Sequence, residues 1–390
     1  MTIESYGRVA DDISMQIEVS RRRGLLTIAV TVVLALSSLT PSAAVSAAAS
    51  RAAGVQVRSA VVGSRYIVQF KTARGRRDTA AYESLRGTDV GAEWASALDG
   101  FVATLSPTDL QRLRNDPDVL RIEPDSIVTA STIQPSPPSW GLDRIDQRNL
   151  PLTLSYSYVS NGSGVTAYVV DTGIHSTHNE FGGRVAPGFV APAADSGIGT
   201  GDCDGHGTHV AGTIGGVTYG VAKAVTLVPV RVLDCAGGGV ASGVIAGLDW
   251  IVTNHLAGSP AVANMSLSGG ISSTMEDAVN RVIADGVAVV VAAGNAATGQ
   301  PPTDACLHSP ARVANAITVG ASESNDGVAP YSNFGLCLDL FAPGSLIVSA
   351  WFTSNAATAT SSGTSMAAPH VTGAVARMLQ DAPSRTPAQI

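Results

Sequence analysis

Three short segments carry residues whose types and spacing can do chemistry. Asp171 closes the run Tyr168-Val169-Val170-Asp171, ahead of Thr172-Gly173. His206 lies in Asp204-Gly205-His206-Gly207-Thr208-His209, and Ser365 in Gly363-Thr364-Ser365-Met366-Ala367. A carboxylate, an imidazole and a hydroxyl, each beside glycine, are the parts of an activated serine nucleophile and its proton relay. The chain order Asp, His, Ser is one of several in which that constellation occurs on unrelated folds. A lone serine before an apolar helical run is most often an N-cap. The two companion segments reverse that reading for Ser365, which has free N–H groups and the positive end of a helix dipole beside it.

In this reading His206 is the general base toward Ser365 and then the general acid toward the leaving amine. Asp171 ends a buried strand, where a carboxylate is costly unless hydrogen-bonded, and holding the His206 imidazole would satisfy it; capping the Thr172-Gly173 turn is the plainer alternative. Asn295, just past the apolar run ending Ala292-Ala293-Gly294, can offer its amide to an oxyanion, although Gly-Asn alone is only a turn. His206 and His209 have the i, i+3 spacing of a zinc pair but lack the Glu of H-E-x-x-H and a third ligand. An esterase of the α/β-hydrolase type needs a G-x-S-x-G elbow and the order Ser, Asp, His, and this chain has neither at Ser365.

Buried-looking strands alternate with helices around these residues. Strands are expected at 165–171, 225–233, 261–267, 287–293 and 317–321, and helices at 206–214, 243–254, 275–284 and from 365 to about 379. The pattern predicts an α/β fold with a doubly wound, mostly parallel sheet, its site at the carboxyl ends of the strands. Ahead of it, residues 65–127 predict a small α+β unit: strands at 65–70, 100–105 and 119–122, helical spacing over 81–98, and a short helix through Leu113 with Ser106 as N-cap and Pro107 at N1. A stiff, exposed, proline-rich linker follows at Gln134-Pro135-Ser136-Pro137-Pro138-Ser139.

Hydrophobic residues make up 45% and charged residues 14% of the 390, which indicates a compact protein with one large domain and a smaller one, not a disordered chain. The net charge of −7 and the lack of a basic run beyond the N-terminus exclude nucleic acid as a partner. Residues 1–49 read as a secretory signal region: Arg21-Arg22-Arg23, an apolar run from Gly24 to Leu36, then small residues through Ser46-Ala47-Ala48-Ala49, with Met15 as an alternative start. The apolar run is short for a bilayer span, so a secreted, extracellular protein without stable membrane association is expected, an N-terminal anchor being the alternative. Four cysteines after such a leader, Cys203, Cys235, Cys306 and Cys337, predict disulfides with three possible connectivities.

With these motifs, Trp140-Gly141-Leu142-Asp143-Arg144-Ile145-Asp146-Gln147 and Val230-Arg231-Val232-Leu233-Asp234-Cys235, the chain from Trp140 onward resembles the subtilisin-like serine endopeptidases of the proteinase K and aqualysin-like group. Residues 65–127 resemble that family's inhibitory propeptide. The resemblance implies a subtilisin-like fold, Asp171, His206 and Ser365 as the triad and Asn295 as oxyanion donor. It implies polypeptide substrates that add as a strand between a rail at Gly237, Gly238 and Gly239 and another at Ser266, Leu267 and Ser268. Ala292, Ala293 and Gly294 would line the pocket for the residue before the scissile bond, and Ser268 stands where the family carries glycine. It further implies the pairings Cys203–Cys235 and Cys306–Cys337, and structural Ca2+ held by Asp339 with the carbonyls of Ala314 and Ala316, with a second site at Asp143, Asp146 and Gln147.

The expected organisation is therefore a signal region (1–49), an inhibitory propeptide (50–130), a linker (131–139) and a peptidase domain (140–390). Because the family continues beyond Pro387-Ala388-Gln389-Ile390, the peptidase domain is expected to be C-terminally incomplete. The propeptide is expected to act as an intramolecular inhibitor, cut between about Val128 and Gln134, in a protein that is otherwise a monomer. An inactive fragment or a non-enzymatic secreted homologue is the alternative.

Overall fold

The computed structural model describes residues 61–126 and 131–390. The signal region expected at 1–49 and part of the expected cleavage window lie outside the described residues.

Residues 61–126 form β1 (Val61–Phe70), α1 (Ala73–Leu85), β2 (Asp89–Trp94), β3 (Gly100–Thr104), α2 (Pro107–Arg114) and β4 (Val119–Ser126). The four strands make an antiparallel sheet in the order β2-β3-β1-β4. Its apolar face buries Val68, Phe70, Phe101, Leu105 and Leu113. Ser106 caps α2 as its sequence predicts, its hydroxyl accepting the Asp109 amide at 3.1 Å.

The helical spacing read over 81–98 is corrected. Helix α1 ends at Leu85, and Asp89–Trp94 is a strand. Gly87 takes a φ of 82°, and the Gly87 and Thr88 amides close the helix on the Ser84 and Glu83 carbonyls. Pairing with β3 then outweighs the local helical period.

The rest of the chain forms β5 (Thr132–Pro135), α3 (Trp140–Ile145), β6 (Ser155–Tyr158), β7 (Thr166–Asp171), β8 (Phe189–Val190), α4 (His206–Gly215), β9 (Thr226–Arg231), α5 (Ala241–Asn254), β10 (Ala261–Met265), α6 (Ser273–Ala284), β11 (Ala288–Ala292), β12 (Ile317–Ser322), β13 (Leu340–Pro343), β14 (Ile347–Ala350), β15 (Thr358–Ser361) and α7 (Thr364–Asp381). Seven strands make a parallel sheet in the order β13-β12-β11-β10-β7-β9-β8. Both faces are covered, which is why these strands are apolar without interruption. Ala167 and Val169 pack with Val210, Ile214 and Val375 on one face, while Tyr168 and Val170 pack with Leu248, Ile251 and Val279 on the other. Each such buried aliphatic side chain stabilises the fold by roughly 1.5–3 kcal/mol.

After β9 the chain crosses to the far side of β7 to lay down β10, so the winding reverses at β7. A crevice opens beyond the carboxyl ends of the strands at such a reversal, and Asp171 is the last residue of β7.

Part of the segment read as a linker is a strand. Thr132↔Tyr158 through Pro135↔Ser155 pair β5 with β6, and Gln134 Nε2 donates to the Thr218 carbonyl at 3.0 Å. Disulfides join Cys203 to Cys235 and Cys306 to Cys337. Among the described residues no helix is long and apolar enough to cross a membrane.

Candidate active site

Asp171 is fully buried. Its Oδ1 accepts the Thr172 amide at 2.8 Å and faces His206 Nδ1 at 2.7 Å. His206 opens α4, with its side chain 28% exposed. The turn before it requires glycine: Gly205 has a φ of 111°, and a Cβ there would lie 2.5 Å from the Trp351 ring.

A residue that sequence reasoning passed over fixes this pair. The buried carboxylate of Asp202 accepts the Thr172 hydroxyl (3.0 Å) and the Asp204 and Gly205 amides (3.0 and 2.9 Å) on Oδ1. On Oδ2 it accepts the Thr208 amide (2.9 Å) and hydroxyl (2.5 Å). Thr172 Oγ1 in turn accepts the Gly207 amide at 2.9 Å. One carboxylate thus ties the residue after Asp171 to the first turn of α4. Burial disfavours the His206 imidazolium, but the charge and hydrogen bond of Asp171, with Asp204 and Asp202 behind, carry its pKa above the ordinary histidine value.

Ser365 lies in the first turn of α7. Its hydroxyl donates to the Ser266 carbonyl at 3.2 Å, and the Ser266 hydroxyl donates to the Ser365 carbonyl at 2.8 Å. That carbonyl is available because Pro369, four residues on, has no N–H to donate. Asn264 Nδ2 donates to Ser266 Oγ at 2.9 Å, and Thr372 Oγ1 to Asn264 Oδ1 at 2.8 Å. A proline inside the apolar run after Ser365 was the available signal for this lock. The Ser365 hydroxyl is hydrogen-bonded to the Ser266 carbonyl and not to His206, so of the two contacts a relay through Asp171, His206 and Ser365 needs, only the one between Asp171 and His206 is made in this conformation.

Asn295 is exposed, and its Oδ1 accepts the Thr364 amide (2.9 Å) and hydroxyl (3.1 Å). This leaves Nδ2 facing Gly363. A Cβ built on Gly363 would lie 3.4 Å from Asn295 Nδ2 and 3.7 Å from the Ser365 amide nitrogen. Asn295 Nδ2 and the Ser365 amide nitrogen therefore both lie on the side of Gly363 where any larger residue would place its Cβ.

A groove of about 500 Å3 runs between His206, the Gly237-Gly238-Gly239 turn and Ser266-Leu267-Ser268. Its floor includes Leu233, Val244 and Met275, which the sequence reading did not single out. Ala292 and Ala293 are buried, and a Cβ on Gly294 would meet Ser268 Oγ at 3.0 Å, so the Ser268 side chain stands over the 292–294 turn. A larger cavity of about 630 Å3, between α7 and β13, contains none of Asp171, His206, Asn295 or Ser365.

The residues expected to bind cations differ in what they leave free. Asp339 Oδ2 accepts the Thr318 amide at 2.8 Å. Both oxygens of Asp143 are engaged, by the amides of Thr153 (2.9 Å) and Leu154 (2.7 Å). Asp146 Oδ2 accepts the Ser157 amide at 2.5 Å, but Asp146 Oδ1 and Gln147 Oε1 are buried with no hydrogen-bond partner among the described residues. Burial pushes the Asp146 carboxyl above its ordinary pKa. Two orphaned buried oxygens on adjacent residues suit a hard cation. Among the described residues no three His, Cys, Asp or Glu side chains cluster in the manner of a metal site, so carbonyl and amide oxygens would have to complete it.

Comparison with known proteins adds to this geometry. The family model described as the subtilase family matches residues 162–390, and that described as peptidase inhibitor I9 matches residues 65–131. The extracellular serine proteinase of Thermus sp. (strain Rt41A) is 57% identical over 306 residues, which are 78% of this chain and 72% of that protein. The alkaline serine exoprotease A of Vibrio alginolyticus is 52% identical over 301 residues, 75% of this chain and 54% of that protein. A crystal structure of a cold adapted subtilisin-like serine proteinase superposes with a TM-score of 0.60 at 53% identity, over 64% of this chain and 88% of that one.

Proposed function

The chain belongs to the subtilase family of serine proteases, and from that premise we propose that it is a secreted serine endopeptidase made as a self-inhibited, self-cleaving precursor. The observation that carries the proposal is the buried Asp171 carboxylate set 2.7 Å from His206 Nδ1, with the other face of the ring left toward the groove. In the proposed mechanism a peptide carbonyl oxygen approaches the Gly363 backbone and accepts from Asn295 Nδ2 and the Ser365 amide. Ser365 Oγ turns from the Ser266 carbonyl to His206, gives up its proton to His206 Nε2 and attacks the carbonyl carbon. Such contacts commonly tighten only when substrate binds. Asp171 holds the Nδ1–H side of the ring. The C–N bond breaks as His206 returns the proton to the leaving amine, and water, deprotonated by His206, then hydrolyses the acyl-enzyme. Treating the purified protein with a serine-directed phosphonyl fluoride and mapping the adduct tests this. The adduct is expected on Ser365; labelling elsewhere, or none in processed protein, would refute the assignment.

The pH profile follows from His206. The ring must be neutral to accept the proton, and its pKa lies above the ordinary value of about 6.5. Activity is lost as pH falls through that raised pKa, so kcat/KM should climb with a midpoint above about 6.5 and level off at alkaline pH. A maximum in acid would remove His206 as the base.

Residues 65–131 match an inhibitor family, which supports an intramolecular inhibitor as the partner of the groove. The pairing of residues from Thr132 in β5 supports a maturation cut in the N-terminal part of the window from about Val128 to Gln134, before Thr132. The names of the extracellular relatives and the signal-like residues 21–49 support export.

Structural Ca2+ is proposed at Asp339 with the Ala314 and Ala316 carbonyls, and at Asp146 and Gln147, with Asp143 bracing the loop through its own hydrogen bonds. A ligand at 100 times its Kd stabilises a fold by about 2.7 kcal/mol, or roughly 5–10 °C for a domain of this size at about 2–4 °C per kcal/mol. Excess chelator should lower the unfolding midpoint by that amount and added Ca2+ should restore it. An unchanged midpoint would remove both sites.

A further inference from the structure

We propose that Asp204 gives the groove a preference for a basic side chain, Arg or Lys, at the substrate residue one position N-terminal to the one seated in the 292–294 pocket. This inference rests on the endopeptidase reading above. Asp204 lies two residues before His206. Its Oδ1 accepts the His206 amide at 3.0 Å, which fixes the carboxylate's orientation. Its Oδ2 has no hydrogen-bond partner among the described residues and lies 3.6 Å from where a Cβ on Gly237 would be. The free oxygen therefore sits at the junction of the catalytic histidine and the first glycine of the rail, and Asp204 lines the groove there.

The groove's charge is one-sided. Asp204 and His206 are the ionisable residues lining it, and no lysine or arginine does. Asp234 adds a second carboxylate under the same turn, 3.6 Å from where a Cβ on Gly238 would be. The Ala236 and Gly238 amides hold its pKa below the usual carboxylate range. The guanidinium of Arg231, on the adjoining strand, is buried and donates to the Gly199 and Gly201 carbonyls, Ser196 Oγ and Cys203 Sγ. Among the described residues neither Asp204 nor Asp234 is in an ion pair with lysine or arginine.

Strand geometry selects the substrate position. A peptide lying extended between the two rails sends successive side chains to opposite faces. With one side chain directed to the 292–294 turn, none of whose residues lines the groove beside Asp204, its N-terminal neighbour turns toward the groove that His206 and Asp204 line. The stem of an Arg or Lys there can lie along the imidazole while its cationic end reaches Oδ2, whereas a Glu would face two carboxylates.

The test uses processed wild-type protein and Asp204→Asn, which keeps an oxygen to accept the His206 amide. Four peptides identical but for Arg, Lys, Ala or Glu at that position are compared by kcat/KM. Ratios between peptides are read within each enzyme, so a general change in turnover cancels. The Arg/Ala ratio is expected to be about fivefold higher in the wild type than in Asp204→Asn, the scale of a partly exposed ion pair, and the Glu/Ala ratio to be lower. In the wild type alone, the Arg/Ala ratio should fall as salt rises from 50 to 500 mM. Equal ratios in the two proteins, or a salt-independent ratio near one in the wild type, would overturn the inference while leaving the endopeptidase reading intact. Failure to cleave any of the four peptides, or a denatured protein substrate, would instead overturn that reading and this inference with it.

Discussion

Ser365→Ala is expected to accumulate as an uncut precursor that still carries residues 65–131, whereas unmodified protein is trimmed before Thr132. The turn holding residue 365 depends on main-chain and neighbouring contacts: the Ser266 hydroxyl on the 365 carbonyl, and Thr364 on Asn295. Removing one exposed-side hydroxyl should therefore leave the fold intact, losing only the 3.2 Å bond to the Ser266 carbonyl. Turnover should fall by about 10⁶, the loss known for a subtilisin deprived of its nucleophile and carried over here. N-terminal sequencing and activity on peptides read the two effects separately. Trimming of Ser365→Ala at the same bond in a protease-free host would show that the cut is made by another enzyme. An unmodified chain that also stays uncut and inert would bring forward the alternative of a non-enzymatic homologue.

Asn295→Ala comes next in size. It should lower kcat by roughly 10²–10³, the range known for loss of one such donor in a subtilisin, with KM little changed. The split is diagnostic because the oxyanion forms only in the transition state. The substitution also strips an acceptor from the Thr364 amide and hydroxyl, so Asn295→Asp is the informative partner. It keeps the acceptor for Thr364 but offers a carboxylate where an N–H is needed. Both variants should be slow, and Asn295→Asp should unfold nearer the wild-type temperature. Near-normal kcat in Asn295→Ala would take the residue out of the site.

The sequence by itself determined the class of fold, because period and polarity are local properties. Short, mostly apolar, β-branched runs such as 165–171 and 287–293 are too short for helices and read as strands covered on both faces. Asp171, His206 and Ser365 stood out as candidates because each lies in a short glycine-containing segment of unusual composition, which is a local property. It misjudged 81–98, where the Gly87 turn and pairing with β3 outweighed a helical period, and 132–135, where a proline-rich segment pairs with β6. The tertiary structure alone decided what lies between distant segments. No local pattern ties Asp202 to Thr172 across thirty residues, or sets Ser266 against Ser365 across ninety-nine. Such contacts arise only when the strand ends are brought to one crevice. There a side chain's partners are chosen by the packing of β7, β10 and α7, and not by its neighbours in the chain. The same holds for Asp204, whose charge any reader of the sequence can see, but whose free oxygen acquires a role only because folding sets Gly237 beside it.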